Sequence, residues 1–170
     1  NVFIQNDGFL NKDLQPINSI PTNQRPINQN WSWDKILRSP YIKQADVLQG
    51  FYFFEDHFSK LELENNFNYY EQFTVHESSL SACIHSVLAS RINNTEKAYD
   101  YYIRASRLDL DDYNKEIKQG LHITSMGGSW MSIIEGFAGV KIFENKLYLN
   151  TNIPEKWDSY SFKLNIKNRK

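Results

Sequence analysis

The chain has 170 residues, 41% of them hydrophobic and 15% aromatic, so it can bury a core and is not expected to be globally disordered. A formal net charge of −1 provides no basic surplus for binding nucleic acid. No apolar run approaches the roughly 20 residues that a membrane span needs. The single cysteine, Cys83, cannot form an internal disulfide, which favours a reducing compartment, and we expect a cytoplasmic protein.

The N-terminal segment, residues 1–40, is predicted to be irregular. Four of the five prolines fall here, and prolines at this density block long helices. Asparagine and glutamine are abundant, and Trp31 and Trp33 flank Ser32. Such a segment suits sugar binding, and it equally suits an ordinary packed connector. The chain opens at Asn1 in the middle of an apolar pattern, so we expect it to be the C-terminal portion of a longer protein.

Five helices are predicted after this segment, from about residue 42 and at about 61–70, 80–88, 96–108 and 130–138. The clearest amphipathic pattern, at i, i+3, i+4, i+7 and i+8, comprises Leu80, Cys83, Ile84, Val87 and Leu88. Asn94 or Thr95 is placed to cap the fourth helix, and Gly139 is placed to end the fifth.

After Val140 the hydrophobic period changes to two. Residues 142–149 predict a hairpin, and residues 159–166 alternate as a half-buried strand does. The predicted fold class is therefore mainly α, with successive antiparallel helices over residues 1–140. A small antiparallel β-sheet domain is predicted to start within residues 141–170.

Two of the predicted helix starts are similar in composition. Residues 122–130 contain an imidazole, three hydroxyls and two glycines, and residues 74–79 contain a histidine and several small hydroxyls. Hydroxyls and unpaired backbone N–H groups at a helix N-terminus suit a bound anion, and glycine lets the backbone approach a ligand. If the two helices are neighbours, their N-termini can converge on one anion, of which phosphate is the obvious one.

Ordinary structural roles explain each of these residues taken singly. Ser78 and Ser79 are good N-cap residues, and His76 and His122 can be satisfied buried histidines. The repetition favours a functional interpretation, because capping requires neither a histidine nor a pair of glycines.

Two further features are weaker signals. A lysine beside an amide, as in Lys43 and Gln44, can hydrogen-bond vicinal sugar hydroxyls, although a single lysine is usually solvated. The acidic cluster after the fourth helix comprises Asp109, Asp111, Asp112 and Asn114. It lacks the spaced glycine and the closing glutamate of a calcium loop, so we interpret it as a solvated turn and predict no metal site.

Six segments occur in a familiar order, at residues 24–29, 31–34, 42–50, 74–81, 107–114 and 120–128. Together they resemble the C-terminal part of the disaccharide phosphorylases of glycoside hydrolase family 65. The resemblance runs across nearly the whole chain. It implies that residues 1–140 are the C-terminal part of an (α/α)6 barrel catalytic domain and that residues 141–170 begin a C-terminal β-sheet domain.

The resemblance also implies a reaction. Members cleave an α-glucosidic disaccharide with inorganic phosphate as co-substrate and invert the anomeric centre, without a metal or an organic cofactor. Maltose and phosphate would give β-glucose 1-phosphate and glucose. Kojibiose, nigerose or trehalose are the alternative substrates, and a non-catalytic carbohydrate- or phosphate-binding fragment is the alternative outside the enzymes. Family members are commonly dimers, which implies a homodimer for the full-length enzyme.

Site residues follow from the same resemblance. Lys43 and Gln44 match the pair that holds the glucosyl unit whose bond is broken. The residues that match the phosphate site are His122, Thr124, Ser125, Gly127, Gly128, Ser78 and Ser79. The family's general acid is a glutamate in the preceding half of the barrel, and no residue of this chain matches it. Glu77 lies on the side of the nucleophile and is not assigned as the acid, so we expect the isolated chain to be inactive.

Overall fold

The computed structural model describes residues 1–166 and consists mainly of helices followed by a small sheet. The α-helices of this part are α1 (Ile27–Asn30), α2 (Trp33–Arg38), α3 (Asp46–Phe53), α4 (Lys60–Glu71), α5 (Ser81–Arg91), α6 (Thr95–Ser106) and α7 (Ile123–Met131). A π-helical turn, Ser132–Phe137, continues α7 directly. The mainly helical fold class is thus confirmed. None of the helices within residues 1–166 is long and apolar enough to cross a membrane.

The N-terminal segment forms short helical turns and connectors, as its prolines predicted. Pro16, Pro21 and Pro26 each occupy the N-cap position of a short helical turn. Proline fixes its own φ and lacks an N–H donor, so each of these residues separates one turn from the preceding one. No long helix forms before α3 in the described chain.

Helix α5 is the centre of the core. Every residue from Ser81 to Ser90 is buried, although the sequence pattern had predicted burial of one face only. Two of the polar residues on the other face are small and satisfied: Ser86 donates to the carbonyl of Ala98, and Ser90 donates to the carbonyl of Gly136, each at 2.8 Å. Small side chains on this face let the neighbouring helices approach closely, which is why the helix is enclosed.

One of these close approaches is at Gly128, where α7 packs against α5. A Cβ atom on Gly128 would lie 2.5 Å from the Cβ of Cys83. Burial raises the pKa of the Cys83 thiol, so this side chain acts as a small apolar packing group. The absence of a side chain at Gly128 therefore sets the separation between the two helices.

The predicted caps are largely correct. Asn94 caps α6, because its side-chain oxygen accepts from the N–H of Lys97 at 3.2 Å. Gly139 follows the π-helical turn with φ of 59°, a conformation that favours glycine, and a Cβ there would overlap the carbonyl of Asn150. The fifth predicted helix begins earlier than expected, at Ile123, so the hydroxyl-rich segment lies within the first turns of α7.

The sheet is smaller than predicted. Strands β1 (Val140–Phe143) and β2 (Lys146–Leu149) form the predicted hairpin, turning through Glu144 and Asn145, which both have positive φ. The strand predicted at residues 159–166 was wrong in length and pairing, since residues 159–165 form no ladder within the described residues. An alternating pattern becomes a strand only where a neighbouring strand satisfies its backbone groups. The domain division at residue 140 stays a prediction.

Replacing Gly128 by alanine is expected to lower the free energy of unfolding by about 1–3 kcal/mol, because the added methyl group would overlap Cys83. Gly127→Ala is the matched control. A Cβ at Gly127 would have no heavy atom within 4 Å, and alanine is the better helix former, so no loss is expected. Urea denaturation measures both changes. Equal destabilisation by the two substitutions would contradict the role of Gly128 in helix packing.

Candidate phosphate and sugar site

The starts of α5 and α7 lie next to each other. The hydroxyls of Ser79 and Thr124 are 2.7 Å apart, which is a direct hydrogen bond between the two segments singled out in the sequence. Thr124 is exposed and Ser79 is half-buried, so these hydroxyls are accessible to a ligand. The predicted convergence of the two helix starts is therefore present in the fold.

The candidate sugar-binding pair adjoins this point. The hydroxyl of Ser78 donates to the side-chain oxygen of Gln44 at 2.8 Å. An isolated parallel bridge between Ile42 and Thr74 holds the two chain segments side by side just before these residues. Lys43 is exposed and makes no hydrogen bond or ion pair with residues 1–166, so its ammonium group is available.

His122 is held by Asp109, a residue that the sequence analysis had assigned only to a solvated acidic turn. Its ring Nδ1 lies 2.5 Å from Asp109 Oδ1, and its backbone N–H donates to Asp109 Oδ2 at 2.8 Å. These two hydrogen bonds lower the pKa of Asp109 and keep it ionised. An ionised acceptor requires the proton on Nδ1, so Nε2 is the ring atom that remains for a ligand. The nearest carboxylate oxygen to Nε2, on Glu116, is 3.9 Å away, beyond hydrogen-bond distance.

The remaining α7 residues of the predicted site divide into two groups. The hydroxyl of Ser125 is buried and donates to the carbonyl of Ala105 at 2.7 Å, and Gly128 packs against Cys83. Gly127 is exposed, with open space where a side chain would be. Thr124 and Gly127 therefore face the accessible side of the helix, whereas Ser125 and Gly128 hold the helix in position.

His76 differs from His122 in being a core residue. It is buried, adopts φ of 54°, and its Nδ1 lies 2.8 Å from the hydroxyl of Ser81. Its ring packs 4.4 Å from that of His85, which is also fully buried. Burial lowers the pKa of both histidines, that of His85 to about 4, so both are neutral near pH 7.

Glu77 is also a buried residue with a structural role. Its carboxylate is buried and accepts the backbone N–H groups of Ile27 at 2.5 Å and of Asn28 at 3.0 Å. These contacts fix the start of α1 against the segment that leads into Ser78. The carboxylate is thereby committed to the backbone of α1.

The acidic cluster turns out to organise the loop between α6 and α7. Asp109 binds His122, Asp111 pairs with Arg107 at 2.6 Å, and Asp112 accepts the N–H of Glu116 at 2.9 Å. Interpreting the cluster as merely solvated therefore missed Asp109. Its separation from His122 along the chain follows no local periodicity, so the sequence offered no signal for the pair. Residues 1–166 contain no group of three or more potential metal ligands.

The two tryptophans of the N-terminal segment differ in their surroundings. The indole N–H of Trp31 donates to Gln24 at 3.0 Å, its ring packs edge-on to Tyr41, and the Lys35 ammonium lies over it. Trp33 is 75% exposed. Trp31 is therefore a packed connector residue, and the ring of Trp33 is accessible.

Comparison with known proteins adds independent information on this arrangement. Residues 1–131 match the model of the glycosyl hydrolase family 65 central catalytic domain. A maltose phosphorylase of Bacillus subtilis is 52% identical over 168 residues. An alpha,alpha-trehalose phosphorylase of Thermoanaerobacter brockii is 40% identical, and a kojibiose phosphorylase of Halothermothrix orenii is 39% identical.

These alignments cover 99%, 98% and 96% of the present chain but only 22%, 21% and 21% of the respective relatives. A solved structure from the human microbiome, described as a kojibiose phosphorylase, is 42% identical and superimposes with a TM-score of 0.91. It is matched over 98% of this chain and 23% of its own. The chain thus spans about a fifth of each relative.

Stability is expected to fall with pH below about 6.5, the ordinary pKa of histidine. Below that pH the histidines of the unfolded chain take up protons, whereas buried His76 and His85 of the folded chain stay neutral because burial lowers the pKa of both. The free energy of unfolding therefore decreases as the pH falls from about 6.5 towards 4. Each such histidine contributes a slope of up to about 1.4 kcal/mol per pH unit. Urea denaturation between pH 4.5 and 7 measures the slope, which His85→Gln is expected to reduce and His57→Gln, at an exposed position, to leave unchanged. An undiminished slope in His85→Gln would contradict this assignment.

Proposed function

The chain belongs to glycosyl hydrolase family 65, and on that premise we propose that it supplies the phosphate site and part of the glucose site of an inverting disaccharide phosphorylase. The observation that carries the proposal is the hydrogen bond between Ser79 and Thr124, which joins two helix starts beside Gln44. The alternative is that the substrate is trehalose or kojibiose instead of maltose, since similar phosphorylases are named for those two sugars.

Phosphate would bind where the two helix starts adjoin. The ligands we propose are the hydroxyls of Ser79 and Thr124 and the Nε2 atom of His122, which in the neutral ring accepts a hydrogen bond from a P–OH group. Gly127 leaves open space beside them. In the first turn of α7 the N–H groups of Ile123 and Ser125 donate to the carbonyls of Leu121 and His122, which leaves the N–H of Thr124 for phosphate. The helix dipole adds partial positive charge at this end. Ser78, Ser125 and Gly128 support this site through their contacts with Gln44, Ala105 and Cys83.

The chemistry suits this placement. An inverting hydrolase needs a carboxylate base to activate water, whereas phosphate is already an anionic nucleophile. What the protein has to provide is orientation, with one phosphate oxygen in line with the anomeric carbon. Lys43 and Gln44 would hold the glucosyl unit through its hydroxyls. The bond from the anomeric carbon to phosphate forms as the glycosidic bond breaks, and the leaving oxygen takes a proton from the general acid.

That acid is proposed to come from a glutamate outside the present chain. Glu77 is unsuited, because its carboxylate accepts two backbone N–H groups.

Apolar side chains beside the proposed site are exposed, among them Ile123 at 76% and Trp130 at 54%, and we propose that they pack against the rest of the catalytic domain. The isolated chain is therefore expected to lack activity. We propose a cytoplasmic location because the single thiol, Cys83, is free and buried. We propose a homodimer for the complete enzyme on the family resemblance alone.

The complete enzyme is expected to release β-glucose 1-phosphate from maltose, and only when inorganic phosphate is present. A panel of maltose, trehalose, kojibiose and nigerose, each with and without phosphate, tests this by following glucose 1-phosphate and its anomeric form. If another disaccharide is turned over fastest, that sugar and not maltose is the substrate. Cleavage that is independent of phosphate would refute the phosphorylase assignment altogether.

Thr124→Val in the complete enzyme is expected to raise the KM for phosphate about tenfold, because it removes one hydrogen bond to a charged ligand. The KM for the disaccharide is expected to change little. Ser129→Ala is the matched control on the same helix, since that hydroxyl donates to the carbonyl of Ser125 at 2.8 Å. Steady-state kinetics with varied phosphate measures both variants. A Thr124→Val enzyme with an unaltered KM for phosphate would remove this residue from the site.

A further inference from the structure

A polar cavity lies behind the segment that leads into Ser78, and the proposed function does not use it. Its volume is about 470 Å³. Its lining comes from the N-terminal segment, from α6 and from the loop after α6, and includes Arg25, Tyr101, Arg104, Tyr113, Asn114 and Lys115. The backbone of residues 74–77 forms a further part of its wall.

Two arginines line this cavity without an ion-pair partner among residues 1–166. Arg104 donates one hydrogen bond, to the backbone carbonyl of His76 at 3.2 Å, and its guanidinium lies 5.3 Å from the ring centre of Tyr113. Burial lowers the pKa of Arg104, the nearby charge of Glu77 raises it, and the charge of Arg25 lowers it. Both guanidinium groups border the same cavity, so their positive charges favour a bound anion there.

Neither carboxylate in the cavity wall, Glu71 or Glu77, forms an ion pair with Arg25 or Arg104 among residues 1–166. Glu71 is paired with the Lys97 ammonium at 2.8 Å and accepts the hydroxyl of Tyr101 at 2.9 Å. Glu77 accepts the backbone N–H groups at the start of α1. Lys97 thus neutralises Glu71, whereas Glu77 keeps a negative charge that acts on Arg104. The ammonium of Lys115 adds a further cation at the exposed rim, so within the described chain three cations border the cavity against one carboxylate without a cationic partner.

Buried hydrogen-bond donors in the wall also lack acceptors. The Nε atom of Arg25 and the Nδ2 atom of Asn114 are buried, and neither has a partner among the described residues. Arg25 uses its Nη2 atom for the backbone carbonyls of Ile17 and Ile20. A buried donor without an acceptor is unfavourable, so these two donors favour a bound polar group in the cavity.

We propose that this cavity binds a sugar phosphate, with the phosphate between Arg25 and Arg104 and the sugar against the rings of Tyr101 and Tyr113. Arginine presents a planar fork that suits phosphate oxygens. The cavity is much larger than inorganic phosphate alone requires. This site is separate from the proposed phosphate site, but its wall continues directly into Ser78 and Ser79. Occupancy can therefore influence the position of those residues.

The test uses the complete enzyme and glucose 6-phosphate as the probe, with inorganic phosphate in a parallel arm. Isothermal titration calorimetry is expected to show that Arg25→Gln and Lys115→Gln each weaken glucose 6-phosphate binding about tenfold. Arg38→Gln is the matched control, because Arg38 is exposed and pairs with Asp34 on the preceding turn of α2. Thr124→Val is expected to leave this affinity unchanged, which separates the cavity from the proposed phosphate site. Lys115 is exposed, so its variant tests the cavity even if Arg25→Gln disturbs folding.

Crystals soaked with tungstate, a phosphate mimic with strong anomalous scattering, locate the anion directly. A peak between the two arginines supports the proposal. Tungstate found only beside Ser79 and Thr124, or a carboxylate from elsewhere in the enzyme paired with both arginines, would overturn it. So would glucose 6-phosphate affinity that is the same in Lys115→Gln as in the unmodified enzyme. Equal affinity for inorganic phosphate and for glucose 6-phosphate would overturn the assignment of a sugar phosphate.

Discussion

The close contact between α5 and α7 is the constraint on which the rest of the candidate site depends. Gly128 leaves room for Cys83, and this allows the two helices to run side by side from their first turns. Because the helices start next to each other, Ser79 and Thr124 come within hydrogen-bond distance. A larger residue at Gly128 would separate the helices at the place where the two hydroxyls have to adjoin. Packing in the core thus sets the geometry of an accessible polar surface.

A second set of contacts brings the sugar-binding candidates to the same place. The bridge between Ile42 and Thr74 aligns two segments that are distant from each other along the chain. Glu77 then ties the second segment to the start of α1 through two backbone hydrogen bonds. Backbone contacts of this kind position Gln44 and Ser78 without using the atoms that a ligand would need. Lys43 in particular keeps its ammonium group accessible.

Electrostatics separates the two histidines that look alike in the sequence. His76 is enclosed beside His85, where burial keeps both rings neutral by lowering the pKa of each, and its Nδ1 lies against Ser81. His122 lies at the partly accessible start of α7, where ionised Asp109 fixes which ring nitrogen carries the proton. One histidine therefore contributes to the stability of the core, and the other is oriented for a ligand. The difference arises from their surroundings and not from the residue type or its distance from a helix start.

The sequence by itself predicted α3 to α6, the hairpin and the two hydroxyl-rich segments of the candidate site, because periodicity, caps and turns are local properties of the chain. The Asn94 cap and the pattern from Leu80 to Leu88 are examples of such local signals. Only the tertiary structure decided which residues face a ligand. It turned Ser125 towards Ala105, placed Gly128 against Cys83 and joined His122 to Asp109. These partners lie on other elements of the fold, and a residue pattern along one segment contains no information about what packs against it.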